Sequence, residues 1–121
     1  MIKNKLLLTD FTSNRWKGVN FIENKNLIKK LNKHSNDSPL FGEINNPIGF
    51  EVDLMKVSHV ITNLEFDNGK IYGDVKVLDT PQGKILNDRF KNNIEVKFSI
   101  RAVGSEIKKI YIKEIFTWDI K

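Results

Sequence analysis

Asn68-Gly69 constrains this chain more than any other pair of residues. It lies between two strand-like runs, Val57 to Phe66 and Lys70 to Leu78. Asn-Gly readily takes the two positive φ angles of a type I′ turn, so the two runs are predicted to form one antiparallel hairpin. That fixes a β-hairpin in the middle of a 121-residue chain. A chain of this length holds one domain, residues 1–121, and not two independent cores.

Other segments group around that hairpin. Lys5 to Phe11 is apolar enough for a first strand, and Thr12 to Asn20 reads as a loop. Leu27, Ile28 and Leu31, ringed by Lys25, Lys29, Lys30 and Lys33, predict an amphipathic helix over 24–33. A breaker cluster from His34 to Pro39 ends it. Leu40 to Phe50, with two glycines and a proline, reads as irregular. Thr80-Pro81 is a helix start, Thr as N-cap and Pro in the first turn, for a helix over 81–91. From 94 to 103 apolar and polar residues alternate: Ile94, Val96, Phe98, Ile100 and Ala102 on one face, Glu95, Lys97, Ser99 and Arg101 on the other. A last strand is expected over 109–120. The fold class is therefore α+β, a curved or barrel-like, mostly antiparallel sheet with two short helices.

Composition narrows the chemistry. With no cysteine, disulfide scaffolds, zinc ribbons and thiol catalysis are out. His34 and His59 are too few for a histidine-rich metal site, and no metal or cofactor is expected. No apolar run approaches the ~20 residues of a membrane span. Leu6-Leu7-Leu8 is too short for a signal sequence, so an intracellular chain is expected. The net charge is +5, and the excess sits in the first 34 residues. It is almost all lysine, with neither the arginine forks nor the aromatic platforms of base recognition. Such a lysine excess reads better as the bias of an A/T-rich coding sequence than as a nucleic-acid surface; as a docking face it would meet an acidic protein partner.

Three features bear on chemistry. Ser99 lies mid-strand between two cations, where a serine is ordinarily a half-exposed surface residue; a nucleophile would need a base and oxyanion donors. His59 alternates with Val57 and Ile61, which predicts a partly buried, hydrogen-bonded histidine. Glu51 and Asp53, two apart, fit a solvated edge better than a cation site.

Four segments carry a resemblance. Leu40 to Pro47 is similar to the "L-(Y/F/L)-G-E-L-x-H-P" segment of the procapsid maturation proteases of tailed phages. Val57 to Ile61 resembles their "V-S-H-V-I" strand. Asn68 to Ile85 resembles "G-x-x-Y-G-x-x-x-(I/V)-L-D-T-P-x-G-K-I", the most specific part, and Val96 to Gly104 resembles their nucleophile strand. Asn14-Arg15 and the helix that follows fit the family's opening loop and helix. These serine proteases, of the herpesvirus assemblin-like group, cut scaffold and capsid proteins inside the immature capsid.

The resemblance implies Ser99 as the nucleophile position and Arg101 as the oxyanion position. The catalytic histidine falls on Asn46, and an amide cannot take the serine proton at neutral pH. His59 matches a different histidine of the family. Ile100 and Ala102 stand where the family has a serine and a glycine, and the chain ends about twenty residues after Ser99, where the family continues. The expectation is an inactivated protease fold reused as a virion structural protein, an auxiliary or decoration capsid protein assembled in the host cytoplasm. Its expected partners are the major capsid protein or other virion proteins, with self-association and no membrane. The alternative is an active prohead protease with a rearranged site, for instance a Ser99–Lys97 pair, at about 7 Å between Cβ atoms. For docking, the first and last strands are the expected edges, with Phe116 and Trp118 either anchoring an interface or filling the core.

Overall fold

The computed structural model describes residues 1–13, 21–35, 39–45, 51–105 and 111–121, and the side chains of 1–13, 26–33, 39–45, 51–102 and 114–121. In chain order the elements are β1 (Ile2–Asp10), α1 (Phe21–Ser35), β2 (Leu40–Glu43), β3 (Val57–Asp67), β4 (Lys70–Val77), α2 (Pro81–Lys91), β5 (Phe98–Ser105) and β6 (Tyr111–Ile120). The expected hairpin is present: β3 and β4 pair antiparallel through Asp67↔Lys70, with Asn68 at φ 49° and Gly69 at φ 79°. Both turn residues need positive φ, which is why the pair is Asn-Gly.

Four strands form one sheet in the order β1-β4-β3-β2, and β5 and β6 form a second, antiparallel pair. A parallel bridge between Ile44 and Ile120, with Asn45 N donating to Ile120 O at 2.8 Å, sets β6 beside β2. At the far side β1 packs against β5 without a hydrogen-bonded ladder. The result is a curved, barrel-like arrangement of two sheets, joined on one side by that single bridge and on the other by packing of β1 against β5.

Inside it, Leu8, Phe11, Ile61, Leu64, Ile71, Val75, Ile115 and Trp118 form one core, which Ile28 and Leu31 of α1 cover. A smaller cluster of Ile44, Leu86 and Ile120 seats α2. Helix α2 starts as its sequence dictates: the Thr80 hydroxyl accepts from Gly83 N at 2.9 Å and donates to Val57 O at 2.6 Å, tying cap to strand.

Three expectations need correction, and one left open is decided. Residues 40–43, read as irregular, form β2. Ile94 to Lys97, read as strand, is not; Ile94 N instead bonds Arg89 O at 2.9 Å, closing the end of α2, and Ile94 is exposed. The last strand is an edge only in part: β5 pairs with one side of β6, and the other side is bridged to the end of β2 at Ile120. Trp118 is fully buried, its indole N–H donating to Thr9 Oγ1 at 2.8 Å across the barrel, so it belongs to the core.

Candidate functional site

Strand β5 meets β6 with Ser99 opposite Asp119 and Arg101 opposite Thr117. Phe98, Ile100 and Ala102 point into the core. Ser99 and Arg101, by alternation, face the other way. That face is not open to water at Arg101. The Arg101 side chain is buried, with three acceptors around it.

Arg101 grips Asp119 with two prongs, Nε to Oδ2 at 2.9 Å and Nη2 to Oδ1 at 2.8 Å. Nη2 also donates to Glu43 Oε2 at 3.0 Å, and Nη1 to the Glu51 carbonyl at 2.8 Å. One guanidinium thus faces two buried carboxylates. Backbone donors offset the surplus negative charge: Glu43 N gives to Asp119 Oδ1 at 2.9 Å, and Asp53 N to Glu43 Oε2 at 3.1 Å. The hydrogen bond to Asp119, reinforced by Glu43, holds the Arg101 pKa above its ordinary value although burial opposes it. Chemically the cluster ties β2, β5, β6 and the 51–53 segment into one junction. Every nitrogen of the guanidinium already has an acceptor.

His59 lies on the inner side, fully buried. Its Nε2 is 2.8 Å from the Trp118 carbonyl, which can only accept, so Nε2 carries the proton. Nδ1 then accepts from the Ser58 hydroxyl at 2.6 Å. The ring also meets Phe98 edge-on, at 6.2 Å between centroids. Gly42 makes room for it: a Cβ there would overlap the imidazole and the Trp118 carbonyl. Burial pushes the His59 pKa down, against the Trp118 hydrogen bond and the nearby Asp119 charge. The expected hydrogen-bonded histidine is thus present, deeper than its alternation suggested. Both ring nitrogens are engaged, and its neighbour Phe98 lies on the face of β5 opposite Ser99.

Ser99 is half-buried in a regular pair with β6. Both oxygens of Asp119, its cross-strand partner, are taken by Arg101 and Glu43 N. Lys97 is exposed, whereas the lysine of a Ser–Lys pair is desolvated. Asn46 lies outside the described residues, as do Asn14 and Arg15. Among the described residues no side chain stands as a base for Ser99, and no three or more His, Cys, Asp or Glu gather as a metal site. Glu51 and Asp53 are not on a strand; Asp53 instead caps a turn, accepting from Met55 N at 2.9 Å.

The sequence reading missed Glu43 and Asp119 as partners of Arg101. Their only local signal was a carboxylate in an otherwise apolar stretch, Glu43 after Leu40-Phe41-Gly42 and Asp119 between Trp118 and Ile120. A groove of about 840 Å³ lies elsewhere, over Lys5, Asn63, Tyr72 and Asp74.

No protein-family model matches the sequence, and no curated protein matches it. Among solved structures the chain is similar to the bacteriophage T4 capsid assembly protease, gp21, with a TM-score of 0.63 over 79% of this chain and 67% of that one. The two sequences are 19% identical over the match, so what they share is the fold.

Proposed function

We propose that this chain is a virion structural protein of a tailed phage, an auxiliary or decoration component built on the fold of a capsid assembly protease and without proteolytic activity. The observation that carries this reading is the setting of Ser99. Ser99 lies in the regular stretch of its ladder, opposite Asp119; that carboxylate is committed to Arg101, and the buried His59 has both nitrogens engaged. A serine nucleophile without a base is a poor one. The position that would supply the base in the resembling proteases is Asn46, an amide.

The partners in this reading are the major capsid protein or other virion proteins. Lys29, Lys30 and Lys33 are exposed on α1. They give the N-terminal third a basic face that would steer docking to an acidic capsid surface, adding more to association rate than to affinity. Reaction of the purified protein with a serine-directed phosphonate tests the reading, alongside incubation with capsid and scaffold precursors. The expected result is no adduct on Ser99 and intact precursors. Stoichiometric labelling of Ser99 with specific cleavage would establish the alternative, an active prohead maturation protease.

A further inference from the structure

Asn68 is the one asparagine of this chain that is followed by glycine. That dipeptide is set apart by its chemistry as well as by its conformation. The backbone nitrogen of the residue after an asparagine can attack the carbonyl carbon of the asparagine side chain. Glycine, with no Cβ, leaves that approach open and lets the backbone turn into it. Asn63, Asn87, Asn92 and Asn93 precede Leu64, Asp88, Asn93 and Ile94, whose side chains crowd the same path. Asn68 is also exposed, so water reaches it.

The fold holds Asn68 away from this reaction. With φ of 49° and 79°, and with Asp67 paired to Lys70, Asn68 and Gly69 are the central residues of a type I′ turn. Such a turn sets ψ of its first central residue near about +30°, the mirror image of type I. Attack would join Gly69 N to Asn68 Cγ in a five-membered ring. That ring needs the nitrogen eclipsed with Cβ about the Cα–C bond of Asn68, and at this ψ it lies nearly opposite. The turn is fastened from two directions. The Asp67↔Lys70 pair closes it from within the hairpin, and Phe11 N donates to Gly69 O at 2.8 Å, tying its tip to the end of β1. Strands β3 and β4 are the two inner strands of their sheet. Turning ψ of Asn68 into the attacking geometry therefore means opening the middle hairpin and releasing β1 from it.

We infer that Asn68 is a self-modification site gated by the fold: the unfolded chain converts it to isoaspartate and aspartate, and the folded chain keeps the amide. Gly69 N loses its proton and bonds Asn68 Cγ, the bond from Cγ to the side-chain nitrogen breaks, and ammonia leaves. Water then opens the cyclic imide. Addition at Cγ gives aspartate; addition at the Asn68 backbone carbonyl carbon leaves the chain running through Cβ and Cγ, which is isoaspartate. Water is the only co-reactant. Isoaspartate adds a methylene to the backbone of a two-residue turn, which then no longer closes Asp67 onto Lys70 in register. A chain that dwells unfolded thus loses its route back to the fold, and one that folds promptly is protected. The inference does not depend on the proteolytic state of Ser99 or on a capsid partner.

The test is mass spectrometry of the purified chain held at mildly alkaline pH, once folded and once in guanidinium chloride. Trypsin cuts after Lys56 and Lys70 and releases the peptide 57–70. In denaturant that peptide is expected to gain the mass of an amide-to-acid conversion. Electron-transfer fragmentation, which tells isoaspartate from aspartate, should place both products at Asn68. In the folded chain the conversion should be at least about tenfold slower, because it waits for the hairpin to open. After dilution from denaturant, chains carrying isoaspartate at position 68 should stay out of the folded fraction. Asn68→Asp, which adds the charge without the extra backbone atom, should fold with its hairpin intact. Equal rates in the folded and denatured chain overturn the gating, and conversion confined to other asparagines overturns the site. Isoaspartyl chains that refold as the unmodified chain does, or an Asn68→Asp chain that fails to fold, overturn the backbone account of the damage.

Discussion

Arg101 on β5 and Asp119 on β6 face each other in a two-pronged buried ion pair, with Glu43 of β2 as a second acceptor. The pair is set two residues from Ser99 along one strand and directly across from it on the other. Arg101 is therefore the pin of a three-strand junction. Removing it leaves two carboxylates buried without their cation. Arg101→Leu should destabilise the fold by about 3–5 kcal/mol, read as a lower urea midpoint. Adding Asp119→Leu should cost much less than the sum of the two single changes, because contacting partners couple. Additive costs would show that the pair does not hold the junction.

His59 gives the fold a predictable dependence on pH. Burial depresses its pKa below the ordinary value. In the unfolded chain His59 takes a proton as pH falls through about 6.5, while in the fold it stays neutral. The unfolded state then binds more protons, so stability falls as pH falls. The loss begins near the unfolded value and continues, by at most about 1.4 kcal/mol per pH unit, until the folded value is reached. Above about pH 7.5 the contribution is complete. His59→Gln should remove this slope from the difference between the two proteins' urea midpoints. An unchanged slope would place the titration elsewhere.

Asp74 binds two irregularities at once. Lys5 on β1 and Asn63 on β3 both have φ 51°, and each lies in a break in the register with β4 or its ladder. Asp74 on β4, between them, accepts from Lys5 N at 2.9 Å and from Asn63 Nδ2 at 2.8 Å. Asn63 first, then Lys5 N, lowers the Asp74 pKa. Its contribution is thus present above about pH 4 and is lost as pH falls through the folded value. The carboxylate is largely solvated, which keeps the effect small. Asp74→Ala should cost about 1–2 kcal/mol and speed hydrogen exchange at the Lys5 amide. Unchanged exchange there would show that the bulge in β1 holds without the carboxylate.

How much of this was legible in the sequence depended on the range of the forces involved. The β3–β4 hairpin and α2 were readable because Asn68-Gly69 and Thr80-Pro81 act locally. Strand β2 was not, since Gly42 and Glu43 take their places from the His59 ring and from Arg101, both distant in the chain. Alternation put Arg101 on a polar face, correctly, but could not show that Glu43 and Glu51 cover that face. The same alternation over-extended β5 to Ile94, where a helix-closing hydrogen bond takes the backbone instead. Trp118 read slightly better as core than as an interface anchor; its full burial and its bond to Thr9, across the barrel, decide for the core. For the site, Ser99 stood out locally only as a mid-strand serine between two cations; the resemblance supplied the role expected of it, and Arg101 and Asn46 with it.

The most direct test of the central claim is the copy number of this protein in purified mature particles, measured by quantitative mass spectrometry against the major capsid protein. A structural component stays with the particle, so the account predicts the intact 14.0 kDa chain at a fixed stoichiometry, the same in immature and mature heads. A chain present in immature heads and largely gone from mature ones, with capsid precursors cleaved over the same interval, would contradict it.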